Sequence, residues 1–217
     1  MPNLLREPSA LKIDYAVSLP HSLLATASLL CATARFEGLG DWLQRAQGQI
    51  APDLGQELCL LLTFPGKYQR FTAELLAHLP PGVERLSFDG LASTLQEIPA
   101  VHYQLVALRA LARGSAPPPE TVTLLKLLNE PVEWAAFLAH VESEAKPETV
   151  AALVRDGEAL KGRLLAALTR FWLEIYAHEF EATQPMMERS IAHHRAQHYP
   201  AALMPGFRET FTAITGR

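Results

Sequence analysis

The chain lacks a basic excess. Its 19 Lys and Arg face 23 Asp and Glu, for a formal net charge of -4 at pH 7. Broad, phosphate-driven nucleic-acid binding needs clustered cations, so this segment is not expected to bind nucleic acid that way. Cysteine is nearly absent as well. Cys31 and Cys59 lie in the apolar runs SLLCATA and ELCLLLTF, and two such residues in a chain this long read as buried small hydrophobes rather than a disulfide framework. No apolar run approaches the roughly 20 residues that span a bilayer. The opening MPNLLREPSALK lacks the charged, apolar, then small-residue order of a signal peptide. These absences predict a cytoplasmic protein with no membrane partner.

Chemical signatures are missing too. The sequence holds no P-loop, no GxGxxG after a strand, no GxSxG elbow, no CxxC and no HExxH. No cofactor is implied, and nothing points to an enzyme.

What is present is apolar patterning. Hydrophobic residues make up 49% of the chain and charged residues 19%, a balance that suits a folded core rather than disorder. Ile13, Tyr15 and Val17 alternate with Lys12, Asp14 and Ala16, which predicts one short N-terminal strand. The rest reads as helix broken by proline and glycine. Helices are expected over Leu19–Phe36 with Ser18 as N-cap, Asp41–Gly48, Leu54–Thr63 capped by Asp53, and Tyr68–Leu79. Others are expected from Ser87 to Ile98, from Pro99 to Ala112, over Thr121–Asn129 and over Pro131–Glu142. A final block holds Val150–Arg155, Glu158–Glu181, Met186–His198 and Gly206–Ile214. The fold class is all-α, an irregular multi-helix bundle forming a single helical domain over 1–217, with a sub-boundary at the Pro-rich loop 114–119.

The stretch LTRFWLEIYAHEFEATQPMME, Leu168 to Glu188, carries the most specific pattern. It predicts a long amphipathic helix heavy in aromatics, broken at Gln184-Pro185 and resumed as a second helix. Trp172, Tyr176, Glu179, Phe180 and Met187 are the candidate ligand-binding residues; the same aromatic stripe, with Phe171, also fits plain core. A buried Glu179 would need a partner such as Arg170 or Arg195. Further on, His193, His194 and His198 cluster in IAHHRAQH. His194 and His198 stand at i, i+4, a spacing that can chelate one metal ion if a carboxylate such as Glu181 or Glu188 converges. A solvated helix end, where the dipole favours cations, explains the same residues.

The block F-W-x-E-I-x-A-x-E-x-E-x-x-x-P resembles the helical N-terminal region of ArsR-like winged-helix transcriptional regulators. The opening ALKIDYAVSLPHSLLAT and the closing FRETFTAITGR resemble the same region, so the likeness runs over nearly the whole chain. In those regulators the helical region precedes a linking region and a C-terminal winged helix. No stretch here reads as a helix-turn-helix with a basic recognition helix and a wing. The resemblance therefore implies a regulatory, effector-binding or dimerisation domain without its own DNA-binding motif. A homo-oligomer, a small-molecule effector and DNA contact through a region not in this chain are the implied partners. The alternative is a metal-binding helical protein or enzyme using the His193/His194/His198 cluster.

Overall fold

A computed structural model of the protein describes residues 16–32, 41–62, 70–83, 86–112, 121–139 and 147–198. Among them there is no strand, and the architecture is an all-α multi-helix fold. Residues 12–15 of the expected strand, the 114–119 loop and the expected helix Gly206–Ile214 lie outside the described residues. No described helix is long and apolar enough to cross a membrane. The chain divides into two compact units, Ser18–Glu179, and Met1–Val17 with Phe180–Arg217.

The larger unit runs α1 (Leu19–Ala32), α2 (Asp41–Gln49), α3 (Pro52–Leu62), α4 (Arg70–His78), α5 (Phe88–Glu97), α6 (Ala100–Ala112), α7 (Thr121–Leu127), α8 (Pro131–Ala139), α9 (Pro147–Arg155) and α10 (Gly157–Phe171). Local chemistry sets most starts. Ser18 Oγ accepts from the His21 backbone N–H at 3.4 Å, and Ser87 Oγ accepts from Gly90 at 3.3 Å, each satisfying a donor that the first turn leaves open. Asp53 does not take the capping position expected of it. Pro52 opens α3, a place where its missing N–H costs nothing, and Asp53 falls inside the first turn. Between α4 and α5, Gly82 adopts φ +90° after Pro81, and the Val83 N–H reaches back to Pro80 at 3.4 Å. A turn with proline second and glycine third needs that left-handed residue.

The core forms around α6 and α10, which pack on each other, α6 also against α4 and α10 also against α3. Tyr103, Val106, Ala107, Leu108, Ala110, Leu111 and Ala112 of α6 are all buried, and its polar His102, Gln104 and Arg109 keep to the partly open side. Three polar side chains inside are partnered: the Tyr103 hydroxyl donates to Leu95 O at 2.6 Å, and Thr72 Oγ1 lies 3.0 Å from Ser28 Oγ and donates to Leu62 O at 3.3 Å. That last pair ties α1, α3 and α4 together at one point.

One corner is set by a glycine. Asp156 Oδ1 accepts from Ala159 N at 2.9 Å and starts α10, one residue after α9 ends. Gln104 of α6 donates its amide to the last carbonyls of α9, Val154 O at 3.1 Å and Arg155 O at 2.9 Å. This close crossing leaves no room beside Gly157, where a Cβ would stand 2.8 Å from Gln104 Cγ and 2.9 Å from Ala100 O. Gly157→Ala is therefore expected to lower unfolding free energy by about 1–3 kcal/mol, the usual cost of overpacking. Gly162 has open space at the same atom, and Gly162→Ala is expected to raise it by roughly 0.5–1 kcal/mol through helix propensity. Urea unfolding midpoints of the two variants check both signs in one experiment.

Candidate functional site

The long helix expected over Glu158–Glu181 is interrupted, though not where proline suggested. After α10, residues Trp172–Tyr176 form a π-helical turn, and the Ala177 N–H bonds to Trp172 O. Helix α11 (Ala177–His198) then continues through Pro185. The expected break at Gln184-Pro185 is thus corrected. A proline removes one N–H and crowds one carbonyl, while the turns on either side keep their own bonds. Thr183 Oγ1 donates to Phe180 O at 3.3 Å just before it.

The π turn decides how the aromatics stand. Residues five apart do not share a face of a regular α-helix, but a turn closed by an i→i+5 bond brings them into register. Phe171 and Tyr176, five apart, stack nearly parallel at 5.6 Å and 7°. Trp172 meets Tyr176 edge-on at 6.1 Å and 73°. Other helices complete the group: Trp42 of α2 lies 5.9 Å from Tyr176, and Phe88 of α5 stacks on Trp172 at 5.0 Å and 2°. Centroids 4.5–7 Å apart in offset or edge geometry are the favourable arrangements for aromatic rings. The Tyr176 hydroxyl hydrogen-bonds with Ser22 and Thr26 of α1. These two stand at i, i+4 and so share a helix face.

Ion pairs align α10 with α3. Arg163 grips Glu57 with two bonds of 2.6 and 2.7 Å. Two turns further along the same face, Arg170 reaches Asp53 at 2.7 Å and Glu174 at 2.9 Å. The pairings 163 with 57 and 170 with 53 mean that α3 and α10 run antiparallel. Arg170 beside Asp53, helped by the Leu54 backbone N–H, holds the Asp53 carboxyl below its usual range. These groups are largely exposed, so their energetic weight is small. They set register more than stability.

The candidate residues sort as follows. Tyr176 is buried, Trp172 and Glu179 are half-buried, and all three belong to the larger unit. Phe180 (buried) and Met187 (half-buried) belong to the smaller unit. Arg170, one expected partner for Glu179, is occupied by Asp53 and Glu174 instead; the side chain of Arg195, the other, lies outside the described residues. His193 is exposed, and the side chains of His194 and His198 lie outside the described residues. Among the described residues no group of three or more His, Cys, Asp or Glu is placed to hold a metal ion. A cavity of about 10 Å³ lies elsewhere, lined by Leu60, Phe71, Ala107, Leu153 and Leu160 among others. Apolar and no larger than a water, it is a packing defect and not an effector pocket.

The sequence reading missed Trp42, Phe88, Ser22 and Thr26 as members of the aromatic group. They come from three other helices, and no spacing rule connects them to Trp172. It also misjudged the cysteines. Cys31 and Cys59 are half-buried and joined as a disulfide between α1 and α3, with Cα atoms 5.2 Å apart. Their runs are apolar, but each cysteine sits at the margin of the buried stripe, facing the other helix.

Burial raises the Tyr176 phenol above its ordinary value, and Glu179 adds to this, while Ser22 and Thr26 oppose it. Burial raises Tyr103 further. A group whose folded value is raised contributes stability below its unfolded value, about pH 10 for tyrosine, and loses it as pH climbs towards the folded one. Absorbance titration at alkaline pH should therefore show late-ionising phenols among the five tyrosines, with fewer in Tyr176→Phe, and unfolding should begin above about pH 10. A single step for all five at the ordinary value would contradict the burial. Comparison of the chain with protein-family models, with curated proteins and with solved structures finds no match.

Proposed function

We propose that this chain is the regulatory domain of a transcriptional regulator, binding a small effector or a second copy of itself at the aromatic turn. The observation that carries this reading is the π-helical segment Trp172–Tyr176. Such insertions cost helical hydrogen bonding and recur at functional sites. This one is not sealed in the core: Trp172 is half-buried and Leu173 is 71% exposed. Phe88 stacked flat on Trp172 shows the kind of surface a planar apolar effector would find. A ligand that prefers one arrangement of these rings shifts the population towards it, and a DNA-reading unit outside this sequence would receive the change. The resemblance of RFWLEIYAHEFEATQPMME to ArsR-like regulators supports the same reading. The net charge of -4 and the absence of strands, hence of a wing, among the described residues agree with a domain that does not read DNA itself.

Two substitutions test it against a control. Trp172→Leu and Tyr176→Leu are expected to weaken the binding of a planar aromatic probe such as anilinonaphthalene sulfonate at least tenfold, or to change the oligomer mass in light scattering. Trp134→Phe should do neither. Its buried indole N–H has no hydrogen-bond partner, so removing that group leaves nothing newly unsatisfied. Unchanged probe affinity and unchanged mass in both folded leucine variants would overturn the assignment.

A further inference from the structure

The disulfide lies at the entrance to the element that completes the aromatic group. Cys31 stands one residue from the end of α1, and Cys59 lies on α3, at a sequence separation of 28. That closed loop contains α2. At nine residues, α2 is far below the length at which an isolated helix persists in water. It is held by burial of Leu43 and Ala46 and by Trp42 against Tyr176. The larger frame does not need the bond. Leu23, Leu24 and Ala27 of α1 and Leu54, Leu58, Leu61 and Leu62 of α3 are buried to within 1%, and the Ser28–Thr72–Leu62 contacts lie one turn from each cysteine. A single half-buried bond in a chain with a full core is reachable by thiols and unlike the frameworks of small secreted domains.

We propose that Cys31 and Cys59 form a reversible thiol–disulfide switch that sets how firmly α2 holds Trp42 against Tyr176. In the closed state the loop ends are covalently fixed and α2 stays docked. Reduction needs two electrons and two protons. A dithiol reductant attacks one sulfur as its thiolate, a mixed disulfide forms, and the reductant's second thiol displaces it. Cys31 and Cys59 are left as thiols and the reductant as its cyclic disulfide. Glutathione disulfide runs the exchange backwards and leaves as two glutathione molecules. With the bond open, the end of α1 gains freedom, because the loop-closure constraint is lost. The docking of α2 then rests on Leu43, Ala46 and Trp42 alone.

The test uses the full chain equilibrated in reduced and in oxidised dithiothreitol, read by iodoacetamide labelling with intact mass and by hydrogen exchange. The oxidised protein should take up no label, and the reduced protein should take up two per chain, reversibly. Peptides covering α2 should exchange at least tenfold faster after reduction, while those of α6 and α10 stay unchanged. The Cys31→Ser, Cys59→Ser double variant should match the reduced form and ignore redox conditions; if it fails to fold, the wild-type exchange data decide. Two labels in the oxidised protein, unchanged exchange in α2, or unfolding of α6 and α10 on reduction would each overturn the switch. No ligand enters this measurement, so its failure leaves the effector reading standing, and the reverse holds too.

Discussion

The arrangement depends on one backbone bond, the reach of the Ala177 N–H over five residues to Trp172. Without that wider turn, Phe171 and Tyr176 could not face each other, and the Tyr176 hydroxyl would not stand on the face where Ser22 and Thr26 await it. From Tyr176 the contacts spread to three helices: hydroxyl bonds to α1, a ring contact to α2 and, through Trp172, a stacked ring on α5. Elements far apart in the chain thus converge on a segment of five residues. The cost is local backbone irregularity, offset by ring contacts of about 0.5–1.5 kcal/mol each.

Electrostatics plays the lesser, orienting part. The two arginines of α10 meet acids of α3 spaced so that only an antiparallel, in-register pairing satisfies both. Exposed pairs of this kind are worth about 0–1 kcal/mol, too little to hold two helices together. Burial of Leu58, Leu61, Leu164 and Leu168 does that. What the pairs add is orientation, since with the two helices parallel Glu57 and Asp53 could not meet Arg163 and Arg170 in this order.

The helical fold and most of its starts were legible in the sequence. Ser18 and Ser87 cap because their hydroxyls answer a local need, and local needs are written in local sequence. The turn at Pro81-Gly82 follows the same rule. What stayed hidden is non-local or permissive. Pro185 marks a possible break, but whether a helix breaks depends on what supports the flanking turns. The π turn has no residue signature, as Trp-Leu-Glu-Ile-Tyr is acceptable in an ordinary helix. Cys31 and Cys59 looked like apolar filling until the packing of α1 on α3 brought them together. Trp172 and Tyr176 were picked out by their spacing, whereas Trp42 and Phe88 became partners only through tertiary contact.

The glycine corner between α9 and α10 has a mechanical consequence. With Gln104 clasping the end of α9 and Gly157 pressed against Ala100, the start of α10 is fixed. Fifteen residues later, some 22 Å along the helix axis at about 1.5 Å per residue, lies the aromatic turn. Phe171 at that end is fully buried, so α10 is a strut held at both ends, and the corner at Gly157 sets where the aromatic turn begins.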